Sequence, residues 1–257
     1  MEGSEPRMML WYKAWRETRT RFLLSAFALA GFCLLVVLFQ SRLREWLGIL
    51  PPWRGQTYNQ HIYAAIFSGT AKSIFVLLLP FLGLGGLLRE RARGSAAFTL
   101  ALPLSRTRLV GTHAAVGLAQ VAVLAFLPAL LVPALSPLVG QSYPFAQALC
   151  FGTLWFCGGI LIFALAVFFS ALLSGEYTAP VACFALLFLE AGANAWPPLQ
   201  PYHTNLLRNM GGLDWVYLDA QQNAVLTSLP WARLALLAVL ALGLLLASVA
   251  VTRRQDF

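Results

Sequence analysis

The chain has 257 residues, of which 59% are hydrophobic and 11% are charged, and its formal net charge is +8. Soluble domains contain about 25% charged residues, so this composition excludes an ordinary soluble protein and predicts an integral membrane protein. The basic residues are spread over segments that flank apolar runs, rather than gathered on one soluble face, which argues against a nucleic-acid-binding protein.

Six apolar runs are long enough to cross a bilayer, for which a helix needs about 20 residues. They predict an all-α integral membrane protein with six transmembrane helices. We expect one transmembrane domain over residues 1–257. The predicted spans are residues 22–39, 62–88, 109–135, 146–172, 178–194 and 231–251.

Residues 1–21, ahead of the first span, carry both aromatic and basic side chains. At helical spacing the two kinds fall on opposite faces, which is typical of a helix lying in the membrane interface. We therefore expect an amphipathic interfacial helix, and the alternative is a plain extension of the first span. The pattern consists of Met9, Leu10, Trp11, Trp15 and Phe22 against Lys13, Arg16, Arg19 and Arg21.

Residues 89–108 form a basic loop between the second and third spans. The loop holds five arginines, which Glu90 alone opposes, and short loops of this kind are retained on the cytoplasmic side. Gly94 permits a tight bend, and Pro103 suits the start of a helix. We predict a cytoplasmic loop that contains a short amphipathic helix.

The basic residues are divided unevenly between the two sides of the predicted domain. With both termini inside, the cytoplasmic segments hold 12 of the 18 Lys and Arg residues, and the outer segments hold five. This bias follows the positive-inside rule and predicts a multi-pass protein of the cytoplasmic (inner) membrane with both termini in the cytoplasm. The first outer loop, with three arginines, is an exception. The segments assigned to the cytoplasm are residues 1–21, 89–108, 173–177 and 253–257.

Two ionisable residues fall inside predicted spans, Lys72 near mid-depth and Glu190 toward the outer side. An unpaired charge in the hydrocarbon costs about 3 kcal/mol, so both are candidates for a substrate path, either paired with each other or lining a polar route. The alternative is that one or both lie at the interface and extend to the headgroups.

The longest outer segment, residues 195–230, is neither charged enough to be disordered nor apolar enough to cross the membrane. Its proline pair, Gly211–Gly212 and its aromatic residues predict short interfacial or partly re-entrant helices that cap the outer mouth. A lipid-facing aromatic belt is the alternative.

The sequence offers little that resembles a catalytic centre. Its three histidines, His61, His113 and His203, are isolated, and no H-E-x-x-H, G-x-S-x-G or G-x-x-x-x-G-K-[ST] motif occurs. We therefore expect neither an enzyme nor a directly bound metal or cofactor. Two alternatives remain: a membrane-embedded enzyme or maturation factor that uses Lys72, Glu190 or a histidine, and a non-transporting scaffold whose loop anchors a cytoplasmic partner.

The basic loop resembles the cytoplasmic loop of the permease subunits of type-2 ABC exporters. The residues that carry the resemblance are Glu90, Gly94, Pro103, Ser105 and Arg106. The similarity to that family extends to six spans, an interfacial amino-terminal helix, a long outer segment before the last span and a basic carboxyl end. Ser95 is a departure, since the family commonly has Thr after the glycine.

The resemblance implies a function in transport. In that family the loop between helices 2 and 3 forms a coupling helix that docks on a separate ATP-binding subunit, present in two copies, and two permeases, identical or different, face each other around the substrate route. ATP and Mg²⁺ would bind the partner ATPase, and alternating access would move the substrate. The expected docking residues are Glu90, Arg93, Gly94, Pro103, Ser105 and Arg106.

Overall fold

The computed structural model describes residues 5–39, 57–84, 106–173, 177–194, 196–198, 205–221 and 223–254. These residues are mostly helical. The helices are α1 (Glu5–Leu38), α2 (Tyr58–Ile62), α3 (Thr70–Leu82), α4 (Arg106–Leu135), α5 (Phe145–Leu172), α6 (Thr178–Asn194), α7 (Leu206–Gly211) and α8 (Trp231–Arg254), and the strands are β1 (Val216–Leu218) and β2 (Ala224–Leu226). A π-helical turn (Tyr63–Phe67) follows α2, and a 3₁₀ turn (Ser136–Val139) follows α4.

Five helical segments among the described residues are long and apolar enough to cross a membrane. They correspond to five of the six predicted spans, and the bounds of α5 differ from the prediction by one residue. The remaining predicted span coincides with α6, which is apolar but has 17 residues. Its length is at the lower limit for a transmembrane helix, so its passage through the membrane stays a prediction.

The structure does not separate the expected interfacial helix from the first span. One continuous helix, α1, covers both the amino-terminal segment and the first span. Leu10, Ala14, Thr18 and Phe22 form a buried stripe at every fourth position, so the same face packs on both sides of the predicted boundary. The 34 residues of α1 extend about 51 Å at 1.5 Å per residue, and the alternative, an extension of the first span, describes this helix better.

The second span is interrupted rather than continuous as predicted. The Ser68 amide donates to the Tyr63 carbonyl at 2.9 Å, which closes the wider π-helical turn, and α3 begins only at Thr70. A Cβ on Gly69 would lie 2.0 Å from the Ala64 carbonyl oxygen. Glycine is therefore required where the two halves of the span meet.

Helix α5 lies at the centre of the bundle and packs against α3, α4, α6, α7 and α8. Its aromatic side chains Phe151, Trp155 and Phe163 are completely buried. Phe75 of α3 stacks on Trp155 with ring centroids 5.1 Å apart. The hydrophobic core thus forms around α5, and α1 and α8 lie on its outside with many exposed apolar side chains.

Residues 195–230, which were predicted to lie on the outer side, contain a hairpin that the all-α prediction did not include. Strands β1 and β2 pair antiparallel, with Tyr217 opposite Val225. The Asp219 carboxylate accepts hydrogen bonds from the amides of Gln221 and Asn223 and so closes the turn. The short helix that precedes the hairpin, α7, agrees with the expected short helices of this segment.

Candidate functional site

The predicted docking residues lie largely outside the described residues. This applies to Glu90, Arg93, Gly94, Pro103 and Ser105. The sixth, Arg106, is the first residue of α4, so the last three residues of the predicted loop belong to a helix. The loop therefore connects α3 to α4.

Lys72 contacts α7. Its side chain is 7% exposed, and its Nζ donates to the Leu207 carbonyl at 2.9 Å. Gly211, the last residue of α7, permits this approach, because a Cβ there would lie 3.0 Å from the lysine nitrogen. The ammonium group thus binds a backbone acceptor inside an apolar bundle, where an unpaired charge would be unfavourable.

Glu190 binds the beginning of the same helix. Its Oε1 accepts from the Leu206 amide at 3.0 Å and from Asn194 Nδ2 at 2.8 Å. First-turn amides have no partner within their own helix, and a carboxylate is a favourable acceptor for them. The second oxygen, Oε2, is buried and has no hydrogen-bond partner among the residues that the structure describes.

Two further side chains hold α7 from other helices. The Tyr63 hydroxyl donates to the Gly211 carbonyl at 3.1 Å, and Arg233 Nη1 donates to Asn209 Oδ1 at 3.3 Å. Together with Lys72 and Glu190 we call these side chains the α7 anchors. They come from the π-helical turn, α3, α6 and α8, so a helix of six residues is fixed to four parts of the bundle.

The apolar side of α7 rests directly on the central helix. Met210 is 1% exposed, and a Cβ on Gly158 of α5 would lie 2.3 Å from its Cγ. At the other end of α7, Gly212 adopts φ +67°, which ends the helix and turns the chain toward the hairpin. Glycines on both sides therefore allow α7 to lie close to the core.

The interruption of the second span is stabilised by aromatic side chains. Trp155 Nε1 donates to the Phe67 carbonyl at 3.1 Å. Phe67 stacks on Phe151 with centroids 4.7 Å apart and also lies against Tyr143. Burial raises the pKa of Tyr143, whose hydroxyl therefore stays protonated.

Sequence reasoning found Lys72 and Glu190 but neither Tyr63 nor Arg233. Lys72 and Leu207 are 135 positions apart in the chain, and Tyr63 and Gly211 are 148 apart. A charge within an apolar run is a local signal that composition reveals. A tyrosine or an interfacial arginine is common in such runs, so no local signal marks the other two anchors.

The arrangement positions a helix, and nothing in it resembles a reaction centre. Over the described ranges, no group of three or more His, Cys, Asp or Glu side chains is placed to hold a metal ion. No family model matches the chain, and no curated protein matches it either.

Proposed function

We infer that this chain is the permease subunit of an ATP-driven exporter of the type-2 ABC kind. The observation that carries this inference is the loop pattern from Glu90 to Arg106 between two long apolar helices. The pattern combines the carboxylate of Glu90, a glycine at position 94 that permits a bend, and a proline before Ser105. These are the features expected of a segment that docks on a cytoplasmic partner.

The chain contains no P-loop motif, so a separate ATP-binding subunit must hydrolyse the nucleotide. Closure of two such subunits would displace the loops of two permeases. Because α3 and α4 flank the loop, they receive that displacement first. Rigid helices then carry it to the opposite face of the membrane as a change of access.

At that opposite face, α7 supports the proposal as a cap. It lies in the segment that the charge distribution assigns to the outside, and its anchors come from four parts of the bundle. In the position that these anchors hold, α7 would close the outer mouth.

The test is affinity purification of the tagged chain from its native membrane in mild detergent. We expect a P-loop ATPase to co-purify, and the double variant Glu90→Gln/Arg106→Gln to release it. Arg108→Gln is the matched control, because Arg108 is an exposed arginine in the first turn of α4 and lies outside the docking set. Absence of any ATPase from the wild-type preparation would favour a scaffold or a maturation factor instead.

A further inference from the structure

Arg21 of α1 binds the carboxyl-terminal end of α3. Its Nη1 donates to the Phe81 carbonyl at 3.1 Å and to the Leu84 carbonyl at 2.7 Å. The last carbonyls of a helix lack partners within it and carry the negative end of the helix dipole. One guanidinium group therefore binds the Phe81 carbonyl in the last turn of α3 and the Leu84 carbonyl two residues beyond the helix, both with charge-assisted hydrogen bonds.

The same end of α3 is in close contact with the central helix. A Cβ on Gly83 would lie 2.7 Å from Ala166 Cβ and 3.2 Å from the Val167 amide nitrogen. The end of α3 is thus held between α1 and α5. It has little room to move independently of either helix.

One turn before Arg21, α1 is joined to the helix that follows the loop. Gln120 Nε2 of α4 donates to Thr18 Oγ1 at 2.7 Å, and the two side chains are 2% and 1% exposed. Thr18 and Arg21 are three positions apart and so lie on neighbouring parts of one helix face. A single turn of α1 therefore binds both helices that carry the loop.

We propose that Arg21 is a positioning residue that joins α1 to the end of α3, the helix that precedes the loop of residues 89–108, so that displacement of the loop moves α1 and the end of α3 together. This inference rests on the proposed function, because it takes the loop to be the part displaced by the ATPase. Arg21 contacts neither nucleotide nor substrate in this role. It fixes the end of α3 to α1 and makes α1 part of the moving body.

The first test measures the separation of α1 and α3 in the permease alone. Spin labels are placed at Leu24 and Leu77, which are 70% and 52% exposed, in a chain whose four cysteines are replaced by alanine. We expect Arg21→Gln to broaden the distance distribution and Arg21→Lys to restore it partly. Arg19 is an exposed arginine of the same turn, so Arg19→Gln should leave the distance distribution unchanged. An unchanged distribution in Arg21→Gln overturns the proposal.

The second test uses the complex with the co-purified ATPase, with ATP, Mg²⁺ and orthovanadate. Labels at Leu138 and Trp231 report on the ends of α4 and α8 far from the loop, where both side chains are exposed. We expect vanadate trapping to change their distance in the wild type and in Arg19→Gln. In Arg21→Gln the change should be lost while ATP is still hydrolysed, whereas a purely structural defect would reduce both.

The outcomes separate the two proposals. If no ATPase co-purifies with the wild-type chain, the proposed function is wrong. A complex that assembles and hydrolyses ATP, but in which Arg21→Gln responds like Arg19→Gln, contradicts the role of Arg21 alone. A wild-type complex that shows no change on trapping also overturns that role, because no displacement would then be transmitted.

Discussion

Lys72 and Glu190 lie on different helices and hydrogen-bond to the backbone of consecutive residues. The lysine donates to the Leu207 carbonyl at 2.9 Å, and the carboxylate accepts from the Leu206 amide at 3.0 Å. The two opposite charges thus bind a carbonyl and an amide of the same short helix and do not form an ion pair with each other. This geometry favours a role for both residues in placing α7 over a role in lining an open polar route.

Replacing Lys72 with methionine should loosen α7 without unfolding the bundle. A hydrogen bond to a charged group contributes about 1.5–3 kcal/mol, and 1.4 kcal/mol is tenfold in an equilibrium constant, so amide exchange in residues 206–211 should accelerate about tenfold. Hydrogen exchange followed by mass spectrometry in detergent measures this. Lys13→Met is the control, because Lys13 is the only other lysine. Equal protection of α7 in both variants would show that Lys72 does not anchor it.

Two substitutions of Glu190 should have opposite effects on thermal stability. Glu190→Gln keeps an oxygen for the Leu206 amide and removes the charge from a half-buried carboxylate whose Oε2 has no hydrogen-bond partner among the described residues. We expect its melting temperature to equal or exceed that of the wild type. Glu190→Ala removes the acceptor and should destabilise by about 1–3 kcal/mol. Tryptophan fluorescence during heating in detergent measures both, and a destabilised glutamine variant would mean that the charge itself is needed.

Substitution of Gly69 by alanine should be strongly destabilising. A Cβ there would lie 2.0 Å from a backbone oxygen, that of Ala64, and backbone cannot yield as a flexible side chain does. Gly69→Ala should therefore destabilise by several kcal/mol, roughly as strongly as other cases of backbone strain or overpacking. Gly31→Ala is the matched control, because nothing lies within 4 Å of its Cβ position and alanine is favoured over glycine in a helix by about 1 kcal/mol. Thermal unfolding of the two variants in parallel makes the comparison.

The long apolar helices were predictable from sequence because hydropathy is a local property. Residues 146–172 and 178–194 could be assigned from composition alone, and α5 and α6 agree with them within one residue. The continuity of α1 could not be predicted in this way. The aromatic and basic pattern of residues 1–21 suits a lipid interface, yet the buried positions Leu10 and Ala14 face protein, which only the packed structure reveals.

The hydrogen bonds between distant segments could not be predicted from sequence for the same reason. Arg21 was counted as a topology signal, and nothing in the residues around it indicates that it binds carbonyls 60 and 63 positions away. The π-helical turn was equally unpredictable, since Gly69 resembles any glycine of an apolar run. Hydrogen bonds between distant segments depend on the fold, so they appear only once the helices are placed.

The buried pair Thr18 and Gln120 should show strongly non-additive energetics. Gln120 Nε2 donates to the threonine hydroxyl, while Gln120 Oε1 is buried with no hydrogen-bond partner among the described residues. Thr18→Val would leave the whole amide unsatisfied and should destabilise by about 1–3 kcal/mol. Gln120→Leu removes a poorly satisfied group, and the threonine keeps its bond to the Ala14 carbonyl, so this variant should be close to neutral.

The double variant Thr18→Val/Gln120→Leu should therefore be more stable than Thr18→Val alone. Removing both partners leaves no orphaned polar group, whereas Thr18→Val alone leaves the Gln120 amide buried without its hydrogen bond to Thr18. Unfolding of the four proteins in a double-mutant cycle, measured in one detergent, gives the coupling free energy between the two side chains. Additive effects would mean that the hydrogen bond contributes nothing to the attachment of α1 to α4.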